Sequence, residues 1–288
     1  MIIKKQRITS IIYFTTKLII PNNAKGSDMI YFLQISDTHH LQNQHNNKDI
    51  YSNTLCSMIP LEQKLKVLSK TLDKPLEFIL HCGDICHNGS ISDYENVKKS
   101  FQQFFPKVPL FVTVGNHDNI STMEVVFSKE SQSIHQFTEI FSDLQIISIN
   151  SANGNSGTIT EEQGSWILEQ IERHPNKSHL LFTHHHFIQN QSPMPSATIS
   201  PKVVALFQSH KISAFLTGHT HYFFQDIFYK TPYYAADSFS FQGQDSGQQY
   251  LHMKESSGYN LFSYDKGTLT LENHGNLGFQ KDLPITHF

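Results

Sequence analysis

Three observations in this chain of 288 residues point to an α/β architecture. Short apolar runs bounded by polar residues recur along it, each too short for a helix and the right length for a buried strand. Between several of them apolar residues are spaced by three and four, which puts them on one helix face. In the C-terminal third this rhythm gives way to aromatics alternating with polar residues, the pattern of antiparallel hairpins.

Taken in order, Ile30-Tyr-Phe-Leu-Gln-Ile35 is the first strand, followed by a polar Asn/Gln-rich loop over Leu41–Thr54. Leu61, Leu65, Leu68 and Leu72 form the apolar face of a helix. Glu77–His81 is the next strand, and Tyr94, Val97, Phe101 and Phe104 mark a second helix closed by Pro106. Leu110–Val114 and Gln145–Ile149 are strands. Thr160-x-x-Gln163 is a capping-box start for a helix carrying Trp166, Ile167 and Ile171. His179–Phe182 is a strand, Ser200-Pro201 supplies the N-cap and first turn of a helix bearing Val204 and Phe207, and Ile212–Leu216 is again a strand. Phe223–Phe228, Tyr233–Phe239, Tyr259–Tyr264 and Thr268–Leu271 read as hairpin strands.

Composition narrows the function classes. Hydrophobic residues at 38% and aromatics at 12% are enough for a substantial core. A net charge of −3 gives no basic field, so no nucleic-acid polymer is expected as partner. No apolar run approaches the length of a membrane span. The three cysteines, Cys56, Cys82 and Cys86, are too few and too oddly numbered for a disulfide framework; free thiols and a cytoplasmic location are expected. Residues 29–288 carry no repeat or linker that would divide them and read as one domain. Residues 1–28 read as a dispensable N-terminal extension, or as an over-called start with Met29 the true first residue. Lys17 interrupts their apolar stretch and no small-residue cleavage site follows, which fits a secretory leader poorly.

The anomaly is the eighteen histidines. Many fall in five short clusters: Asp37-Thr-His39, Gly83-Asp84, Gly115-Asn116-His117-Asp118, His184-His185-His186 and Gly218-His219-Thr220-His221. Each follows an apolar strand-like run. In α/β sheets the ligand crevice lies beyond the carboxyl ends of strands, so these distant residues can converge. Carboxylates, one amide oxygen and several imidazoles suit Fe, Mn or Zn better than Mg alone. Singly each cluster is weak, since Asp-x-His or Gly-Asp is more often a solvated turn. Five in succession, each closing a strand, are not a product of turns.

In this order the clusters resemble those of the calcineurin-like metallophosphoesterases, and most of all bacterial class III 3′,5′-cyclic-AMP phosphodiesterases. The resemblance runs from Met29 almost to the C-terminus and includes Gly157…Glu162-Gln163…Trp166-Ile167-Leu168, Ser238-x-x-x-Gln242 and Gly258-Tyr259-Asn260-Leu261. It implies a four-layer αββα sandwich of two mixed β-sheets flanked by helices. It implies two metal ions, the first held by Asp37, His39 and His221, the second by Asn116, His219 and His184, with Asp84 bridging. His185 is the alternative to His184. His117 is implied to be no ligand but the catalytic residue, acting as general acid or as charge stabiliser. The implied reaction is hydrolysis of a small-molecule phosphodiester, with 3′,5′-cyclic AMP giving 5′-AMP the best single substrate, by in-line attack of a metal-bridging hydroxide. A phosphomonoester, or another nucleotide or lipid diester, is the alternative, and a non-catalytic scaffold of the same fold is a third reading.

The chain departs from that pattern at Phe187 and Asp237, where many members have Pro, and at His87 and Asn88, where many have an Asp that orients the catalytic His. Beyond the five clusters, His40 reads as a pocket-wall residue. His45, His87, His135, His210, His252 and His287 read as surface or loop histidines, and Tyr222 as a packed aromatic or a substrate contact.

Overall fold

The computed structural model describes residues 16–19, 29–41, 55, 58–128, 133–154, 156–245, 250–279, 282–283 and 286–287. The expected loop over Leu41–Thr54 lies, except for Leu41, outside the described residues, as do Cys56 and His45.

In chain order the elements are β1 (Thr16–Ile19), β2 (Ile30–Ile35), α1 (Leu61–Thr71), β3 (Phe78–His81), α2 (Ile91–Phe104), β4 (Leu110–Val112), α3 (Ile120–Phe127), β5 (Gln136–Phe141), β6 (Leu144–Ile149) and β7 (Thr158–Ile159). They continue with α4 (Glu161–Arg173), β8 (Ser178–Phe182), β9 (Thr198–Ile199), α5 (Pro201–Gln208), β10 (Ala214–Thr217), β11 (Phe224–Phe228) and β12 (Thr231–Ala235). The last are β13 (Phe241–Asp245), β14 (Tyr250–Glu255), β15 (Tyr259–Asp265), β16 (Thr268–His274) and β17 (Thr286–His287).

Two six-stranded sheets dominate, ordered β1-β16-β15-β2-β3-β4 and β11-β12-β10-β8-β6-β5. In the first, β2, β3 and β4 run parallel while β15 pairs antiparallel with β2. In the second, β12, β10, β8 and β6 run parallel between antiparallel edges β11 and β5. The hairpins expected late in the chain form as β11/β12 and β15/β16, but β12 also joins the parallel ladder through β10.

Strand alternation shows why the central strands are apolar throughout. Phe32, Phe78, Ile146, Leu180, Leu216 and Phe262 point into one core between the sheets. Their neighbours Leu33, Ile79 and Leu261 point outward to α1 and α2, and Ile147, Leu181 and Phe215 point outward to α4 and α5. Strands buried on both faces lose the polar alternation of a half-exposed sheet. Three cores separating four layers give the expected αββα sandwich, with Phe32 stacked between Phe78 and Phe262 at ring distances of 4.7 and 5.0 Å.

The helix starts follow their sequence signals. Thr160 and Gln163 cap each other at α4, and Ser200 Oγ accepts from Val203 N at α5. Helix α3 and strand β5 were not expected. Strand β5 is an edge with only Phe137 buried, and its half-polar sequence lacks the apolar run that marks an inner strand. Among the described residues no helix is long and apolar enough to cross a membrane.

Candidate dinuclear metal centre

All five clusters emerge where parallel strands end, three from β2, β3 and β4 and two from β8 and β10. The chain turns sharply there, and Asp37, His39, Asp84, His219 and His221 all take left-handed backbone angles, with φ between 42° and 70°. Such angles are costly for residues with a Cβ and concentrate at functional sites. Gly115 and Gly218 permit the convergence. A Cβ on Gly115 would collide with the backbone and carboxylate of Asp84, and one on Gly218 with Ser36 and Asp37.

The side chains form two adjoining groups. In the first, His39 Nε2 lies 3.1 Å from His221 Nε2, 3.5 Å from Asp84 Oδ2 and 3.9 Å from Asp37 Oδ1, and His221 Nε2 is 3.4 Å from the same Asp37 oxygen. In the second, His184 Nε2 lies 3.0 Å from Asn116 Oδ1, 3.2 Å from His219 Nδ1 and 3.4 Å from Asp84 Oδ2. Ligand atoms about 2.1 Å from a shared ion are roughly 3.0 Å apart at octahedral and 3.4 Å at tetrahedral edges. Most of these separations fall in that range, and Asp84 Oδ2 belongs to both groups.

Outer contacts fix the rings. His184 Nδ1–H donates to Cys82 O at 2.7 Å and His221 Nδ1–H to Phe241 O at 2.8 Å, so each ring turns its Nε2 inward. Asp37 Oδ2 accepts from His219 N and Asp84 Oδ1 from His117 N, while Asp37 Oδ1 is buried with no hydrogen-bond partner.

The electrostatics call for cations. Burial works against the charge of Asp84, but His184, His117 and His39 outweigh it and hold the carboxyl well below its usual range. Asp37 is lowered too: burial is opposed by His221 and His184. Burial keeps His39 well below its ordinary value and takes His219 to about 2. His184 goes the other way, to about 9, because the attraction of Asp84 and Asp37 exceeds its own cost of burial. Two buried carboxylates therefore face imidazoles of which two, His39 and His219, are held neutral by burial, while His184 competes for a proton beside Asp84. This donor set fits two metal ions.

The protein matches the family model described as Calcineurin-like phosphoesterase over residues 30–223. This chain belongs to the calcineurin-like phosphoesterase family. Among curated relatives, it is 30% identical over 196 residues to a "Probable cyclic nucleotide phosphodiesterase" of Vesicomyosocius okutanii, covering 66% of this chain and 77% of the relative. It is 31% identical over 163 residues to a "Probable glycerophosphodiester phosphodiesterase" of Arcobacter nitrofigilis, covering 53% and 56%. Among solved structures, the purple acid phosphatase PPD1 of yellow lupin superposes with a TM-score of 0.63 at 13% identity, over 91% of this chain and 54% of that one. The chain thus spans about half of the lupin protein's length. These similarities make the protein a metal-dependent phosphoester hydrolase of the calcineurin-like family.

Every residue expected to touch metal lies in one of the two groups. His184 Nε2 faces Asn116 and Asp84, while His185, whose Nδ1 meets Ser151 Oγ at 2.9 Å, groups with His184 and His219 as a further possible donor. His117 stands beside the groups on the wall of a cleft of about 450 Å³. One expectation, a surface or loop position for His87, holds only for the loop. His87 is not a surface histidine: it is 2% exposed, stacks on His117 at 4.5 Å, and places Nδ1 3.4 Å from His39 Nδ1. Its offset of three residues from Asp84 was the signal in the sequence. His40 is half-buried against a smaller neighbouring cavity, and Tyr222 lines the main cleft with its hydroxyl donated to Gly243 O. Phe187, in place of the common Pro, packs on Phe215 at 4.3 Å in the outer core.

Proposed function

We propose that this protein is a dinuclear-metal phosphodiesterase acting on a cyclic nucleotide, with 3′,5′-cyclic AMP the favoured substrate and 5′-AMP the product. The observation that carries the reading is the position of one carboxylate oxygen, Asp84 Oδ2, between His39 at 3.5 Å and His184 at 3.4 Å. Asp37, His39 and His221 would hold one ion, Asn116, His184 and His219 the other, with Asp84 shared. Two such ions supply Lewis acidity and lower the pKa of bound water.

The remaining chemistry belongs to the chain. His117, on the cleft wall and outside both groups, protonates the departing ribose oxygen. Its backbone N–H donates to Asp84 Oδ1 at 2.8 Å, which ties the placement of the acid to that of the shared carboxylate. His87 stacks on its ring and restrains its swing. The outer cleft wall is apolar, formed by Met194, Phe223, Phe224 and Phe241, and no Lys or Arg lines it among the described residues. A diester monoanion carrying a flat base suits such a wall better than a dianionic monoester, which asks for additional cations. Buried free thiols at Cys82 and Cys86 support a reducing, cytoplasmic setting.

The similarity to the Arcobacter protein supports a second reading, a glycerophosphodiester as substrate. Turnover of cyclic AMP, a glycerophosphodiester, an aryl diester and an aryl monoester by the metal-loaded protein separates these readings. Preference for the glycerophosphodiester, or for the monoester, would replace the cyclic-nucleotide assignment.

A further inference from the structure

Behind the first group of metal donors, α1 sends a lysine into the interior. The Lys64 side chain is 2% exposed, and its ammonium faces four oxygens. It donates to Phe239 O at 3.1 Å, Ser240 O at 3.3 Å and Ser256 O at 2.8 Å, and pairs with Glu255 Oε1 at 3.1 Å. The Glu255 carboxylate is fully buried, and the same oxygen accepts from Ile59 N at 2.7 Å. Such a cradle of carbonyls and a carboxylate is what a structural cation would occupy; here a tethered ammonium fills it.

Buried ion pairs cost desolvation and are often replaceable by apolar residues without loss of stability, so stability alone explains this one poorly. What the ammonium holds is more specific. Phe239 and Ser240 lie in the segment Ser238–Phe241, which threads beneath the first group. Ser238 Oγ and Ser240 Oγ both donate to Asp37 O, at 2.9 and 2.6 Å. Phe239 N donates to Ser36 O at 2.9 Å, and Phe241 O accepts from the His221 ring at 2.8 Å. The segment therefore grips the backbone of Asp37 and the tautomer of His221 together. Its own carbonyls at 239 and 240 converge, and a positive charge is needed to keep them so.

We propose that Lys64 is a positioning residue for the first metal position, an internal cation that locks Ser238–Phe241 so that Asp37 and His221 present their donor atoms together. The inference rests on the dinuclear reading above. It assigns no contact between Lys64 and substrate or metal.

The test uses the full chain, stripped of metal and titrated with Mn(II) by calorimetry, with Co(II) absorption as a second readout. His221→Ala identifies the binding step that belongs to the first position. Lys64→Met alone leaves Glu255 buried without its cation and loses stability. The paired variant Lys64→Met with Glu255→Gln removes both charges and recovers the melting temperature. In that folded paired variant, the step identified by His221→Ala weakens by about 10–100-fold, the usual effect of removing an outer support of a ligand. The other step is unchanged, and the Co(II) spectrum of the first position alters. Wild-type affinity and spectrum in the paired variant would overturn the proposal while leaving the dinuclear reading intact. Failure of the paired variant to fold would also overturn it, by making the pair a requirement of the scaffold. If the unmutated chain takes up fewer than two ions, the dinuclear reading fails first and this inference with it.

Discussion

The ends of β2, β3 and β4 bring both carboxylates and the amide to the site, along with His39 and His117, whereas the ends of β8 and β10 bring only imidazoles. The first sheet supplies the carboxylates and the second supplies imidazole nitrogens. Each of the two groups draws side chains from both halves. The halves are joined by direct bonds across the sandwich: His219 N to Asp37 Oδ2 at 3.1 Å, the His184 ring to Cys82 O, and Gln34 Nε2 to Thr217 O at 2.8 Å. The site is thus a readout of how the two sheets pack, and its geometry rests on the core between them. Asp84 is where the comparison breaks down, because this first-sheet residue faces donors from both sheets.

That exception gives the largest expected effect. Asp84→Ala removes the carboxylate oxygen that lies near both groups and leaves two cation positions without a shared anion. Metal content falls below two equivalents, and turnover drops by at least about 10²–10³-fold, the scale of losing one charge-stabilising group. Elemental analysis with steady-state rates checks this. Two full equivalents at a near-normal rate would show that the halves do not meet at Asp84.

His117 sharpens the contrast within the first half, between residues proposed to hold ions and the one proposed to face substrate. His117→Ala keeps its metals and a similar KM, and loses about 10²–10⁴-fold in kcat, the range for removing a general acid. The loss shrinks for a nitrophenolate leaving group, which needs little protonation. An equal loss for alkyl and aryl leaving groups would make His117 a stabiliser of phosphate charge, and metal depletion would make it a ligand.

A core substitution tests whether packing of the sheets sets the site. Phe182 is fully buried at the end of β8 in the inter-sheet core, in edge contact with Phe137 at 5.8 Å and two residues before His184. Phe182→Ala should cost about 3–5 kcal/mol, including the cavity left behind. Denaturant titration measures that cost. If the two halves depend on one core, metal affinity weakens along with stability. Unchanged affinity in a destabilised variant would show that the cross-sheet hydrogen bonds suffice.

The five clusters were legible in sequence because each lies within a few residues of a strand end, and the resemblance to the family divided their residues between two ions. The inner strands were legible because burial on both faces makes them continuously apolar. What stayed hidden depends on partners distant in sequence. His87 becomes a site residue only because the loop after β3 brings it onto His117, and Lys64 looks like a solvated helix lysine until Glu255 and the 238–241 segment close over it. Strand β5 and the short helix α3 were missed for a different reason: β5 is a partly exposed edge, and α3, as short as α5, starts without the Ser-Pro signal that marks α5.

The smallest effect is expected farthest from the site. Residues 1–28 carry none of the five clusters, yet Thr16–Ile19 forms β1, paired antiparallel with β16 from Thr16↔Leu271 to Ile19↔Thr268. This strand lies at the outer edge of the first sheet, with β16 and β15 between it and β2. Leu269 and Leu271 of β16 already reach the inter-sheet core, and β15 holds β16 by a seven-residue ladder. A chain starting at Met29 should therefore retain metal content and turnover, with a small drop in melting temperature. Its newly exposed edge on β16 is the place where self-association would begin, because unpaired strand edges recruit other chains. Melting, metal content and sedimentation of the shortened chain measure the three consequences separately. Loss of turnover in a folded, monodisperse chain would show that the edge of the first sheet reaches the site after all, and that residues 1–28 belong to the domain.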